Sequence, residues 1–215
     1  MTRPDLVIFD CDGVLVDTEP VSNAVLAENL TRHGLLLSTE DCIGMFTGWS
    51  MVSVEQEAIR LGATLPEGWI AAVYAEEFEA LKRGVDAVNG ISEILDRLEA
   101  AGIPFCVASN GSEEKMAITL GQTDLLPRFR GAMFSAHTLK TSKPDPALFQ
   151  AALTAFNVEA ARAVVIEDSV LGATGAARAG IPCYGYAPHH DGADLAATGA
   201  RVFKEMRELE QLLAL

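Results

Sequence analysis

The sequence predicts an α/β protein, a doubly wound (Rossmann-like) parallel sheet with an inserted all-α helical cap, and three observations carry that prediction. Leu6-Val7-Ile8-Phe9 is a short apolar run of the kind buried on both faces of a sheet. Between residues 19 and 87 nothing looks like a buried strand, and apolar residues recur at roughly helical spacing instead. From about residue 90, amphipathic stretches alternate with short apolar runs, as when helices connect parallel strands. The α/β core is therefore expected from residues 1–17 and 88–215, with residues 18–87 as a helical insertion after the first strand.

Within the insertion, Val21, Val25, Leu26 and Leu30 mark a helix over 21–33, stopped by Gly34. Ser38-Thr39-Glu40-Asp41 has the form of an N-cap followed by acidic residues in the first turn. Further helices are expected over 51–61, ended by Gly62, and over 67–83, between Pro66 and Gly84. In the core, Ile91, Ile94, Leu95, Leu98 and Ala101 form an apolar stripe closed by Gly102. Strands are expected at 104–109, 132–135, 163–166, 182–186 and 201–203. The helices between and after them fall at 112–121, 145–156, 170–179, 192–198 and from about 205. Neither an internal repeat nor a low-complexity segment is present.

A chain of 215 residues, 49% hydrophobic and 21% charged, has the composition of a packed core rather than a disordered segment. Its net charge of −14, from 16 basic and 30 acidic residues, argues against nucleic acid and anionic membrane as partners. An anionic substrate would need positive charge supplied locally. The four cysteines, Cys11, Cys42, Cys106 and Cys183, are scattered without a C-x-x-C pair, so buried reduced thiols are expected. His33, His137, His189 and His190 lack metal-ligand spacing. No run approaches 18 apolar residues and the first residues lack a signal-type apolar region, so a soluble cytoplasmic protein is expected, as a monomer or small homo-oligomer.

The chemistry-bearing residues sit where apolar strands end. Asp10 and Asp12 follow the first strand at i and i+2, a spacing that in extended chain points both carboxylates the same way. Two such carboxylates repel unless a cation lies nearby or one keeps a proton; an Asp-rich turn is the plainer alternative. Ser109-Asn110-Gly111 ends the second core strand ahead of a helix whose N-terminus could face an anion, though S-N-G is also an ordinary turn. Lys143-Pro144-Asp145-Pro146 places a lysine that is either solvated or a counter-charge to the acidic cluster. Glu167-Asp168 end the strand at 163–166, where adjacent acids are either a helix N-cap or hard oxygen ligands for magnesium. One sheet edge gathering these groups has no structural need of them, and a divalent ion there would suit phosphoryl transfer.

In that order, D-x-D-G-x-L-x-D-[ST] from Asp10, S-N-G at Ser109, K-P-D-P at Lys143 and E-D-S-x-x-G at Glu167 resemble the haloacid dehalogenase superfamily across the whole chain. The resemblance is to the branch with a helical cap after the first strand, which holds β-phosphoglucomutases, phosphoglycolate phosphatases and sugar-phosphate phosphatases, with the 6-phosphogluconate type similar around S-N-G, K-P-D-P-A-L and D-S-V-x-G-A. It implies Asp10 as a nucleophile forming an aspartyl-phosphate and Asp12 as general acid and then base. It implies Mg2+ held by Asp10, the Asp12 carbonyl and Asp168, with Glu167 as a direct or outer ligand. Lys143 would balance charge, and Ser109, Asn110 and Gly111 would hold the phosphoryl group.

The family's caps often choose substrate through a K-G-x-S-R-like loop. Here that loop is Phe46-Thr47-Gly48-Trp49-Ser50-Met51, without its basic residues, and Thr47, Gly48 and Trp49 are the candidate selecting positions. Trp49 could stack on substrate or be a core tryptophan. The mutase histidine falls near Ser22, so the expected activity is hydrolysis of a small phosphorylated metabolite, a sugar or sugar-acid phosphate, with a β-phosphoglucomutase-type mutase as the alternative. Asp12 argues against a dehalogenase, and Gly172 and Gly175 are expected to allow helix–sheet packing. A non-catalytic phosphoacceptor module is the alternative of another class, set against by the helical insertion. The first strand is followed by no G-x-G-x-x-G, which sets aside a dinucleotide binder.

Overall fold

A computed structural model describes residues 3–46 and 49–215. The chain forms two compact units, one running up to Asp17 and again from Asp86, the other spanning Thr18–Val85.

In the first unit, strand β1 (Leu6–Phe9) has no exposed residue, so both its faces are covered. Its alternation divides the core. Leu6 and Ile8 pack among Cys106, Ala108, Val165 and the helical residues Leu148, Phe149 and Ala152, while the Phe9 ring meets Phe105 edge-on at 6.3 Å, and Phe105 meets Phe129 at 5.2 Å. After β1 a tight turn follows, closed by the Leu15 and Val16 N–H groups on the Cys11 carbonyl. Strand β2 (Val16–Asp17) then carries the chain out of this unit.

The second unit is wholly helical among its described residues: α1 (Glu19–Arg32), α2 (Thr39–Phe46), α3 (Met51–Arg60) and α4 (Trp69–Leu81). Ser38 and Asp41 exchange backbone-to-side-chain bonds at the head of α2, the reciprocal cap that S-T-E-D suggested. Leu26, Leu30, Cys42, Val54, Ala58 and Trp69 form its core. Trp69 is fully buried, and its indole N–H donates to Asn29 Oδ1 at 2.6 Å. Trp49 is different. It is 50% exposed and touches Phe46 edge-on at 5.9 Å, so it is not a core tryptophan. Thr47 and Gly48 lie outside the described residues.

The chain returns through β3 (Asp86–Ala87), which pairs antiparallel with β2, Asp17 opposite Asp86. The remaining core elements follow as α5 (Ile91–Ala100), β4 (Phe105–Ser109), α6 (Glu113–Gln122), β5 (Met133–Ser135) and α7 (Ala136–Leu139). After them come α8 (Ala147–Phe156), β6 (Ala163–Glu167), α9 (Val170–Arg178), β7 (Cys183–Tyr186), α10 (Ala193–Ala197), β8 (Arg201–Phe203) and α11 (Leu209–Leu212). Six strands form one parallel sheet in the order β5-β4-β1-β6-β7-β8. The chain winds outward from β1 in one direction and then in the other, so the gap at the C-terminal end of β1 is the crevice where such sheets take ligands. Phe9 stands opposite both Val107 and Ile166, which brings Asp10, Ser109 and Glu167 to a common edge.

The terminal helix expected from 205 is split into a 3-10 turn, Met206–Glu208, and the short α11. Cys11, Cys42 and Cys106 are buried free thiols, and Cys183 is half-buried. Among the described residues no helix is long and apolar enough to cross a membrane.

Candidate active site

Lys143 organises this edge. Its ammonium donates to Asp10 Oδ1 at 2.6 Å and to Glu167 Oε1 at 2.5 Å, and the residue is 4% exposed. The K-P-D-P loop that carries it is pinned from several sides. The Lys143 N–H donates to Asn110 Oδ1 at 2.8 Å, Arg178 donates to the Pro144 carbonyl at 3.1 Å, and Asp145 Oδ1 accepts the Ala147 N–H at 2.8 Å. S-N-G is thus tied to K-P-D-P by a side chain. Ser109, 2% exposed, accepts the Gly111 N–H at 3.0 Å, and Ser135 at the end of β5 donates to the Gly111 carbonyl at 2.7 Å.

The acids meet where two glycines leave room. Carboxylate oxygens of Asp10, Glu167 and Asp168 lie within 4.8 Å of one another. Glu167 is fully buried; beyond Lys143, its Oε2 accepts the Ser169 N–H at 2.9 Å and the Ser169 hydroxyl at 2.8 Å. Ser169 also caps α9 by accepting the Gly172 N–H at 3.0 Å. A Cβ on Gly172 would fall 1.7 Å from Glu167 Oε1, so this glycine makes room for a carboxylate as well as for the helix. Gly175 meets the Phe149 ring of α8 and the Pro144 backbone rather than the sheet, so the close approach it allows is to a neighbouring helix and loop. Gly13 has φ +77°, and a Cβ there would fall 1.9 Å from Asp168 Oδ2.

Burial pushes the Asp10 carboxyl up to about 7, with Glu167 adding to the rise and the Lys143 ammonium opposing it. Burial likewise raises Asp168 well above the ordinary carboxylate range, reinforced by Glu167 and Asp10. Burial works against the charge on Lys143, but Asp10 and Glu167 outweigh it and hold the ammonium above its ordinary value.

Asp12 is placed by the turn after β1 rather than by strand alternation, since the strand ends at Phe9. It takes a different cation: Lys115 Nζ, from the first turn of α6, donates to its Oδ2 at 3.0 Å. Asp12 Oδ1 is buried and has no hydrogen-bond partner among the described residues. Reasoning from sequence missed Lys115. The available signal was a lysine in a helical first turn, where the backbone dipole disfavours a cation. Ser135 and Ser169 were missed as well, being anchors one step behind the acids.

With all four carboxylates ionised, Asp10, Asp12, Glu167 and Asp168 would face two ammonium groups, a deficit of two positive charges that a single divalent cation would make good. The all-oxygen donor set and the raised proton affinity of Asp10 and Asp168 fit a hard cation.

A sequence profile of the haloacid dehalogenase-like hydrolases matches residues 7–186. The 6-phosphogluconate phosphatase of Escherichia coli K12 is 31% identical over 194 residues, covering 88% of this chain and 86% of its own. Validoxylamine A 7'-phosphate phosphatase of Streptomyces hygroscopicus subsp. limoneus is 29% identical over 209 residues, 95% of each chain. Among solved structures, a HAD-family hydrolase from Deinococcus radiodurans R1 with bound phosphate and sodium superimposes with a TM-score of 0.84 at 30% identity, covering 100% of this chain and 96% of its own.

Proposed function

The chain belongs to the haloacid dehalogenase-like hydrolases as one of their phosphatases, and on that premise we propose that it hydrolyses a small sugar or sugar-acid phosphate through an aspartyl-phosphate on Asp10. The observation that carries the reading is Asp10 itself. Its side chain, 12% exposed, is held at the sheet's C-terminal edge by Lys143, beside Glu167 and Asp168.

In this reading an Asp10 oxygen attacks phosphorus while Ser109, Asn110 and Gly111 hold the phosphoryl oxygens. Lys143 balances charge on Asp10 and on the group it receives. Asp12 gives a proton to the leaving alkoxide and then takes one from the attacking water. Asp10, Asp168 and the Asp12 carbonyl would hold magnesium, with Glu167 beside them and engaged by Lys143 and Ser169; when bound, the ion supplies the positive charge the cluster lacks. The helical unit would act as the cap, with Thr47, Gly48 and Trp49 among the residues that select the ester.

Hydrolysis is favoured over mutation of a phosphosugar. The mutase histidine position is Ser22, whose hydroxyl donates to Glu77 at 2.8 Å, and the loop around Trp49 has no basic residue to hold a second phosphate. Purified protein with magnesium should release phosphate from members of a phosphometabolite panel, and Asp10→Asn should abolish it. Full activity in Asp10→Asn, or no phosphate from any ester, would overturn the reading; scoring isomerised product in the same panel separates the mutase.

A further inference from the structure

Lys115 stands at the reacting edge without a part in the nucleophile, phosphate or metal roles given above. It occupies the third position of α6, where Ser112 Oγ accepts its backbone N–H at 3.1 Å. A cation there faces the positive end of the helix dipole, an unfavourable place unless something else holds it. The contact with Asp12 Oδ2 does so, joining residues 103 apart in sequence at 3.0 Å, with the two side chains only 23% and 29% exposed. Gly111 lies over this pair: a Cβ added to it would be 3.5 Å from Lys115 Cδ and 4.0 Å from Asp12 Oδ2. The other oxygen, Asp12 Oδ1, is buried and unpartnered among the described residues, which is costly unless a ligand completes it.

We propose that Lys115 is a positioning residue: it holds Asp12 by Oδ2 so that Oδ1 faces the ester oxygen leaving phosphorus. This rests on the phosphatase reading of Asp12 given above. As the Asp10–phosphorus bond forms and the ester P–O bond breaks, the bonding pair stays on the ester oxygen, which takes the proton from Asp12 Oδ1. The carboxylate left on Asp12 is stabilised by the Lys115 ammonium. Water then attacks phosphorus, its proton returns to Asp12, and the Asp10–phosphorus bond breaks to release phosphate and regenerate the Asp10 carboxylate.

Leaving-group dependence tests this. With magnesium present, first-turnover alcohol release is measured for wild type and Lys115→Met on a sugar phosphate and on p-nitrophenyl phosphate, whose weakly basic phenolate departs without a proton. The proposal expects Lys115→Met to slow the sugar phosphate by about 100-fold, within the range supplied by a general acid, and the aryl ester by no more than about threefold. Binding of inorganic phosphate should be unchanged. Equal loss on both esters, no loss on either, or weaker phosphate binding would overturn the role of Lys115 while leaving the phosphatase reading intact. The sugar phosphate is one that the phosphometabolite panel identifies, and a wild-type protein inert to every ester of that panel would sink that reading and this proposal together.

Discussion

Lys143 is nearly enclosed by the acids it serves, and removing its charge tests how far the site depends on it. Lys143→Met leaves Asp10 and Glu167 buried without their cation, a change that costs about 3–5 kcal/mol when a buried pair is broken. Urea unfolding in EDTA should show that loss, and magnesium should restore part of it. Gly172→Ala probes the same carboxylate from behind. Its Cβ would collide with Glu167 Oε1, so about 1–3 kcal/mol of stability should go, read by thermal melting. At this scale the sequence was informative where chemistry-bearing residues follow an apolar run: Asp10, Ser109, Glu167 and Asp168 all stand at strand ends. Lys115 was not legible, because its partner lies 103 residues away and only the packing of α6 brings the two together.

Helices and strands were legible in proportion to the apolar surface they bury. The α5 stripe of Ile91, Ile94, Leu95 and Leu98 is wholly buried, as its spacing implies. The ribbon of β2 and β3 escaped notice because each strand has two residues, and Asp86 is exposed and acidic. The four-residue α7 is likewise too short to leave a period. Within the helical unit the polar tie between α1 and α4 should matter as much as the apolar packing. Asn29 accepts the Trp69 indole N–H and donates to Glu76 Oε2 at 3.2 Å. Asn29→Ala strands a buried donor, so a loss of about 1–3 kcal/mol is expected, with hydrogen exchange rising first in α1 and α4. Exchange that rose equally in the sheet would contradict a locally held tie.

For the whole molecule, the acidic cluster is expected to link stability to pH and to divalent cations. The ordinary aspartate value is 3.8, and burial lifts Asp10 to about 7. Between those values the folded, metal-free chain keeps a proton on Asp10 that the unfolded chain has released. The folded state then binds more protons, so this group's effect on stability worsens as pH rises through that window. Asp168, also raised, acts in the same direction. A cation that binds the ionised carboxylates competes with those protons, so magnesium should raise the melting temperature more at pH 8 than at pH 5. An equal shift at both pH values would count against the cluster as its site. The excess of acidic residues, net −14, adds general self-repulsion that salt of any kind should relieve.

The small ribbon between β2 and β3 has a consequence of its own. Because Asp17 and Asp86 face each other, the departing and returning chains occupy one point of the sheet unit. Topologically, Thr18–Val85 is a ring fastened at a single seam. The sheet would therefore register the exchange of one helical ring for another chiefly as a change of loop. Under the proposed function, the choice of ester would then diverge by transplantation while the carboxylates assigned to the chemistry stay where they are.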